Sequence, residues 1–153
     1  MNGRGIATLL LAAAGYPVAV SVAVVVTVGL ILAAAAFPDG GAYGSFYALL
    51  RNLPAMLAIG FLWTFSCALP GFVVAIVLGE SRQWDRWRDY AVAGLVNAGA
   101  SLAIFAAVFA SPLDMPTMVA ASFPGGFAGG AAYWFSLGRL VARRRHVASA
   151  DVA

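Results

Sequence analysis

Glu80-Ser81-Arg82-Gln83-Trp84-Asp85-Arg86-Trp87-Arg88-Asp89-Tyr90 sets six charged side chains between two apolar runs, residues 54–79 and 90–110. Each run has the ~20 residues that a helix needs to cross a hydrocarbon core of about 30 Å. The segment therefore reads as the turn of a membrane hairpin. Working outward, residues 17–37 and 117–141 form two further apolar runs, joined to the first pair through 38–52 and 111–116. With four crossings, Arg4, Arg82, Arg86, Arg88, Arg139, Arg143, Arg144 and Arg145 fall on one side and Arg51 alone on the other. Arginine accumulates on the cytoplasmic side of membrane proteins. The expected architecture is all-α: a polytopic protein of the bacterial inner membrane, four transmembrane helices in a compact bundle, both termini cytoplasmic. Residues 1–141 make one domain, and 142–153 a basic, disordered cytoplasmic tail.

Composition agrees with this. The 153 residues are 63% hydrophobic and 10% charged, against about 25% charged in soluble domains. The net charge of +3 comes from arginines beside apolar segments, where they meet anionic lipid headgroups, so nucleic acid is not an expected partner and the bilayer is. Cys67, the single cysteine, has no internal disulfide partner and reads as a small buried apolar residue.

The first apolar stretch, residues 5–37, would be about 50 Å long as one helix. A break at Gly15-Tyr16-Pro17 is expected, with residues 6–14 along the cytoplasmic interface as part of an uncleaved signal anchor. One long tilted helix is the competing picture. Asn52-Leu53-Pro54 reads as a helix start, and Pro70-Gly71 as a kink whose freed carbonyl finds a partner inside the bundle.

Pro124-Gly125-Gly126-Phe127-Ala128-Gly129-Gly130 contains two overlapping GxxxG pairs, Gly125 with Gly129 and Gly126 with Gly130. Glycine at every fourth position lets helix backbones approach where lipid supplies no hydrophobic drive. The plain reading is packing within the chain, and the functional one a seam to a second copy or another membrane protein. Gly71, Ala75 and Gly79 repeat small residues at this spacing, so the second and fourth runs are expected to touch. Asn97 and Ser101, four apart, share a face of the third run. They either line a polar path or form a hydrogen bond between helices. A weak internal echo aligns Tyr16 with Tyr90 and Pro38 with Pro112.

Trp84, Trp87 and Tyr90, three apart, suit the headgroup layer, as do Tyr133 and Trp134. Arg86, Arg88, Arg139 and the Arg143–Arg145 cluster read as topology anchors that also contact lipid, and Asp85 is placed to pair with Arg88.

Several chemistries lack carriers. No run holds a central Asp, Glu, Lys, Arg or His, so ion-coupled transport through an intramembrane charge is not expected. His146 is the only histidine, which leaves no histidine pair for haem or metal. Neither cofactor nor metal is expected. Asp39 and Asp114 fall in the two outer connections, yet the asparagine-rich blocks of four-helix lipoprotein signal peptidases are missing around them, and they read as turn residues.

Leu69-Pro70-Gly71-Phe72, Trp87-Arg88-Asp89-Tyr90-Ala-Val-Ala-Gly94 and Gly129-Gly130-Ala-Ala-Tyr133-Trp134-Phe-Ser-Leu-Gly138-Arg139 together resemble small four-helix bacterial inner-membrane proteins to which no activity is assigned. The resemblance covers the last half of the chain and implies a membrane bundle without catalytic residues. The expected role is a non-enzymatic accessory or assembly subunit acting through helix contacts. The alternative is a small transporter or channel component for a neutral or lipid-like solute, with Asn97 and Ser101 beside its path.

Overall fold

The computed structural model describes residues 3–36, 46–82, 84, 86–109 and 115–140, and all of its regular structure there is helical. Helix α1 is Gly3–Ala36, α2 Phe46–Arg51, α3 Leu53–Ser81, α4 Trp87–Phe109 and α5 Met115–Tyr133. A π-helical segment, Trp134–Gly138, follows α5 directly. Three helices are long and apolar enough to cross a membrane, over Ala13–Ala36, Leu53–Gly79 and Trp87–Val108. In α5, Thr117, Ser122, Pro124 and four glycines dilute the hydropathy, and its regular α-geometry ends at Tyr133.

The first helix does not break where the sequence suggested. It continues through Pro17 for 34 residues, about 50 Å. Gly15 and Tyr16 are buried there, pressed against Tyr133 and Phe72. Packing along this face holds the helix straight through a residue that removes one backbone bond, as transmembrane helices tolerate when neighbours surround the site. Part of the connection before α3, expected as a loop, is the short helix α2. Asn52 joins it to α3: its Nδ2 donates to Ala48 O at 2.9 Å, while its own carbonyl accepts from Met56 N at 2.9 Å.

The four long helices form an antiparallel ring in the order α1, α3, α4, α5. Tyr16 meets Phe72 while Val24 faces Gly60, which fixes α1 against α3. Asn97 meets Ala68 and Trp63 meets Phe105, which fixes α3 against α4. Arg82, Arg86, Arg88 and Arg139 therefore lie at one end with the start of α1, and Arg51 lies at the opposite end.

Packing around the ring is uneven. Helix α5 is the hub, lying closely against α1 and α4. Its overlapping GxxxG pairs serve a different neighbour each. Gly125 and Gly129 face α1, where a Cβ on Gly129 would sit 2.7 Å from Ala19 O and one on Gly125 would sit 2.8 Å from Ala23 O. Gly126 and Gly130 face α4, where a Cβ on Gly126 would lie 2.5 Å from Gly94 O and 2.6 Å from the Ala98 Cβ. At Gly130 it would collide with Tyr90 O. Backbones in such contact gain dispersion and weak Cα–H···O attraction.

Gly71 and Gly79 do not meet these glycines. Helices α3 and α5 lie diagonally across the ring, because α1 and α4 occupy both glycine faces of α5. Gly71 instead makes room for Asn97, and Gly79 for Tyr90 and Trp84. Ala75, on the same stripe, is half-buried and faces the interior of the ring.

Replacing Gly126 with Leu should lower the unfolding free energy in detergent by about 3 kcal/mol or more, at the upper end of overpacking costs. Gly29, with nothing within 4 Å of a Cβ position, should accept Leu without loss. Equal thermal stability of the two variants would remove the glycine seam as the organiser of the bundle.

Candidate binding cavity

Uneven packing leaves space at the centre of the ring. A cavity of about 590 Å³ lies between α3 and the closely packed set of α1, α5 and α4, and all four long helices line it. Small residues make this space: Ala19, Ala23, Ala68, Ala93 and Ala98, with Gly94, Gly126 and Gly129. The same short side chains that let α5 approach its neighbours leave the middle of the bundle unfilled. Towards the Arg51 end the wall is larger and apolar, with Val28, Ile31, Met56, Phe105 and Met118.

At the arginine-rich end the cavity meets an aromatic cluster contributed by every long helix. Tyr16 of α1 lies 4.5 Å from Phe72 of α3 between ring centroids, and Phe72 lies 5.3 Å from Tyr133 of α5. Tyr133 is 5.4 Å from Tyr90 of α4, which stacks on Trp134 at 5.4 Å and meets Trp84 edge-on at 5.7 Å. These separations fall in the attractive range for aromatic pairs. Tyr16 and Tyr133 are each 5% exposed and Tyr90 8%. Tyr133, expected as a headgroup anchor, is thus a core residue: α5 turns it inward against Gly15, where no Cβ stands in its way.

Side-chain hydrogen bonds reach α3 from both of its neighbours. The Tyr16 hydroxyl donates to Phe65 O, and Asn97 Nδ2 donates to Ala68 O at 3.0 Å. Pro70 has no N–H to offer Ser66 O, so a partner for Ser66 O was expected inside the bundle. The bonds from neighbouring helices go instead to the carbonyls on either side of it. Asn97 therefore forms the helix-to-helix bond that was the plain reading of its polarity.

The polar part of the cavity wall consists of the amides of Asn52 and Asn97 and of hydroxyls. Thr27 of α1, Thr64 of α3, Ser101 of α4 and Ser122 of α5 all line it, so each long helix supplies one such side chain from its middle region. Thr27 Oγ1 makes a long bond, 3.5 Å, to Ala121 O. Ser101 Oγ is buried and has no hydrogen-bond partner. Among the described residues no Asp, Glu, Lys, Arg, His or Cys lines the cavity. Among the described residues no three metal-ligating side chains converge. The site can enclose an uncharged molecule and offer it hydroxyl groups.

The remaining sequence candidates lie outside the cavity. Trp87, 38% exposed, meets Phe127 edge-on at 6.0 Å, and Arg88 lies 6.0 Å over its ring. Arg139 lies 5.7 Å over Phe135, and Arg82 and Arg86 are exposed at the same end. Asp39, Asp85, Asp114, Arg143, Arg144, Arg145 and His146 fall outside the described residues. Sequence reasoning missed Thr27, Thr64, Ser122 and Gly94. The signals were a hydroxyl near the middle of each apolar run, and small residues four apart at Ala19-Ala23-Thr27 and Gly94-Ala98. Compared with protein families, curated proteins and solved structures, the chain matches none.

Asn97→Ala should lower unfolding stability by about 1 kcal/mol, the usual worth of a hydrogen bond between membrane helices. Ser101→Ala in the ligand-free protein should be neutral or stabilising by up to about 1 kcal/mol, since it removes a buried hydroxyl with no partner. Chemical denaturation in micelles measures both, and the opposite ranking would contradict these bonding assignments.

Proposed function

We propose that this chain is a multi-pass protein of the bacterial inner membrane that holds a neutral, lipid-like molecule within its bundle and moves or presents it without catalysing a reaction. In this reading α5 is the fourth crossing, apolar enough because α1, α4 and the cavity cover its glycines and hydroxyls. Both termini are then cytoplasmic. Support for that orientation comes from the grouping of Arg82, Arg86, Arg88 and Arg139 at the end where α1 begins, opposite Arg51.

The observation that carries the reading is the cavity. Its volume, about 590 Å³, falls in the range of small-molecule sites, about 300–1,000 Å³. Its wall is apolar apart from hydroxyls and amides, and uncharged throughout. Ions and polar metabolites find nothing there to replace their hydration. A largely apolar solute does.

An accessory or assembly subunit acting through helix contacts is the second reading. Its first basis, the GxxxG motif, is occupied inside the chain. What favours it now is the outer face of α3, where Ile59 and Leu62 are each 67% exposed and Val77 60%. Lipid is sufficient cover for such a face, and a second copy or another membrane protein is the alternative cover.

Extraction and mass spectrometry of the protein purified in mild detergent should recover a neutral lipid in near-stoichiometric amount. Thr64→Phe, which fills the cavity, should lose it while keeping helical content and a single gel-filtration peak. Lipid-free protein that instead co-purifies with a stoichiometric membrane partner would replace this reading with the accessory one. Reporter fusions should place residues 82–89 and the chain beyond residue 140 in the cytoplasm, and a periplasmic signal at residue 85 would overturn the orientation.

A further inference from the structure

One backbone atom on the outer surface of the bundle is poorly served by lipid. Pro70 leaves Ser66 O without its helical donor. No side chain among the described residues donates to it, and the bonds that reach α3 from its neighbours go to Phe65 O and Ala68 O. Ser66 stands 13 residues from each end of the Leu53–Gly79 span, about 20 Å along the axis, so this carbonyl lies at mid-membrane, out of reach of water. A helical carbonyl points along the axis towards the residue four positions on, which sets Ser66 O between Ser66 and Pro70. Both are exposed, and neither lines the cavity. The carbonyl therefore faces outward, where hydrocarbon offers an unpaired backbone group no donor.

A donor stands beside it. Ser66 Oγ donates to Leu62 O at 2.9 Å, a carbonyl that the helix already supplies with the N–H of Ser66. The hydroxyl bond is thus surplus where it is made. Within one helix a serine hydroxyl turns back towards the preceding turn, so Ser66 does not serve its own carbonyl. A two-fold axis along the membrane normal brings like residues of two copies together. Each hydroxyl can then pass from Leu62 O to Ser66 O of the other copy, and both carbonyls gain a donor.

The residues around Ser66 fit that pairing. Ile59, Leu62, Ser66, Leu69 and Val73 recur at alternating spacings of three and four along the exposed face of α3. Ile59, Ser66 and Val73 take the a positions of a heptad, and Leu62 and Leu69 the d positions. β-Branched residues at a with leucine at d favour parallel two-stranded packing, and a single polar a residue sets its register. Copies inserted with the same topology present their α3 helices in parallel, as this packing requires. With Val77, the apolar members are between 42% and 67% exposed, so the face offers more than about 500 Å² per copy, and two such faces approach the ~1,000 Å² at which specific interfaces begin.

We propose that the chain forms a parallel two-fold dimer through the outer face of α3, with each Ser66 hydroxyl donating to Ser66 O of the other copy. The dimer sets the two cavities on opposite sides of the paired α3 helices and braces the wall of each that is packed most lightly. It rests on the membrane reading of the chain and on neither the cavity nor its occupant, so its failure leaves the lipid-holding function standing.

The test uses the full chain carrying Cys67→Ala in membrane vesicles from the expressing cells. Copper-phenanthroline oxidation should join Leu62→Cys or Leu69→Cys into a covalent dimer and leave Val96→Cys monomeric. Val96 is as exposed as Leu62 but lies on α4. Energy transfer between terminally labelled copies, diluted stepwise in liposomes, then gives the dissociation constant. Ser66→Ala should raise it about tenfold, the loss of two hydrogen bonds between membrane helices, with helical content unchanged. Ser66→Thr should hold it. Pro70→Ala, which returns an N–H to Ser66 O, should weaken the dimer by a comparable factor, and Ser66→Ala should then add little in that background.

Monomers at every dilution, or cross-linking through position 96 in place of 62 and 69, would overturn the dimer. Cross-linking of positions 62 and 69 to a different protein in the vesicles would assign the face to another membrane protein and overturn the second copy. An α3 dimer whose dissociation constant ignores Ser66→Ala, or in which Ser66→Ala and Pro70→Ala act additively, would overturn the unpaired carbonyl as its cause.

Discussion

Everything in this bundle follows from how closely the backbone of α5 approaches α1 and α4. Two glycine pairs offset by a single residue point about 100° apart on a helix. One motif thus forms two seams, Gly125 and Gly129 against Ala19 and Ala23, Gly126 and Gly130 against Gly94 and Tyr90. Three helices are fixed by backbone contact, and the fourth, α3, closes the ring through side chains. Two seams and two lighter contacts, rather than four equal ones, produce an off-balance bundle with a space beside α3.

The attachment of α3 has a corresponding character. Tyr16 and Asn97, from helices on opposite sides of α3, each donate to one of its backbone carbonyls, Phe65 O and Ala68 O. The two acceptors lie on either side of Ser66 O, the carbonyl that Pro70 leaves without its helical donor. Gly71 is what admits the Asn97 side chain, since a Cβ there would overlap it. These bonds add direction to the apolar packing of Leu57, Phe61, Phe65 and Phe72 against α1. In lipid such bonds are worth about 1 kcal/mol each, enough to favour one rotation of α3 about its axis.

Much of this was legible in the sequence, at the level where local chemistry decides. The charged segment 80–90 separates two helices, Asn52-Leu53-Pro54 begins one, and Asn97 forms a helix-to-helix bond. What escaped was decided by partners. GxxxG announces a close contact without saying which helix makes it, so Gly71 and Gly79 were matched with the wrong neighbour. Tyr133 carries the signature of an interface residue, but whether it turns outward or inward depends on the space left by Gly15, 118 positions earlier in the chain. Pro17 breaks helices in isolation, and here Tyr16 packing on Phe65 and Phe72 holds the helix through it. The cavity is the furthest from local reading, because it belongs to the difference between seams.

That cavity also bears on stability. Vacated protein cores cost roughly 24 cal/mol per Å³, so whatever part of this 590 Å³ space is closed off from its surroundings is better filled than empty. A bundle of this shape is therefore stable when the space is occupied, and in a bilayer hydrocarbon is always at hand to occupy it. Filling is thus cheap and unselective, while choosing among occupants is the harder task. Choice falls to the few polar side chains in the wall, Thr27, Thr64, Asn97 and Ser122 among them.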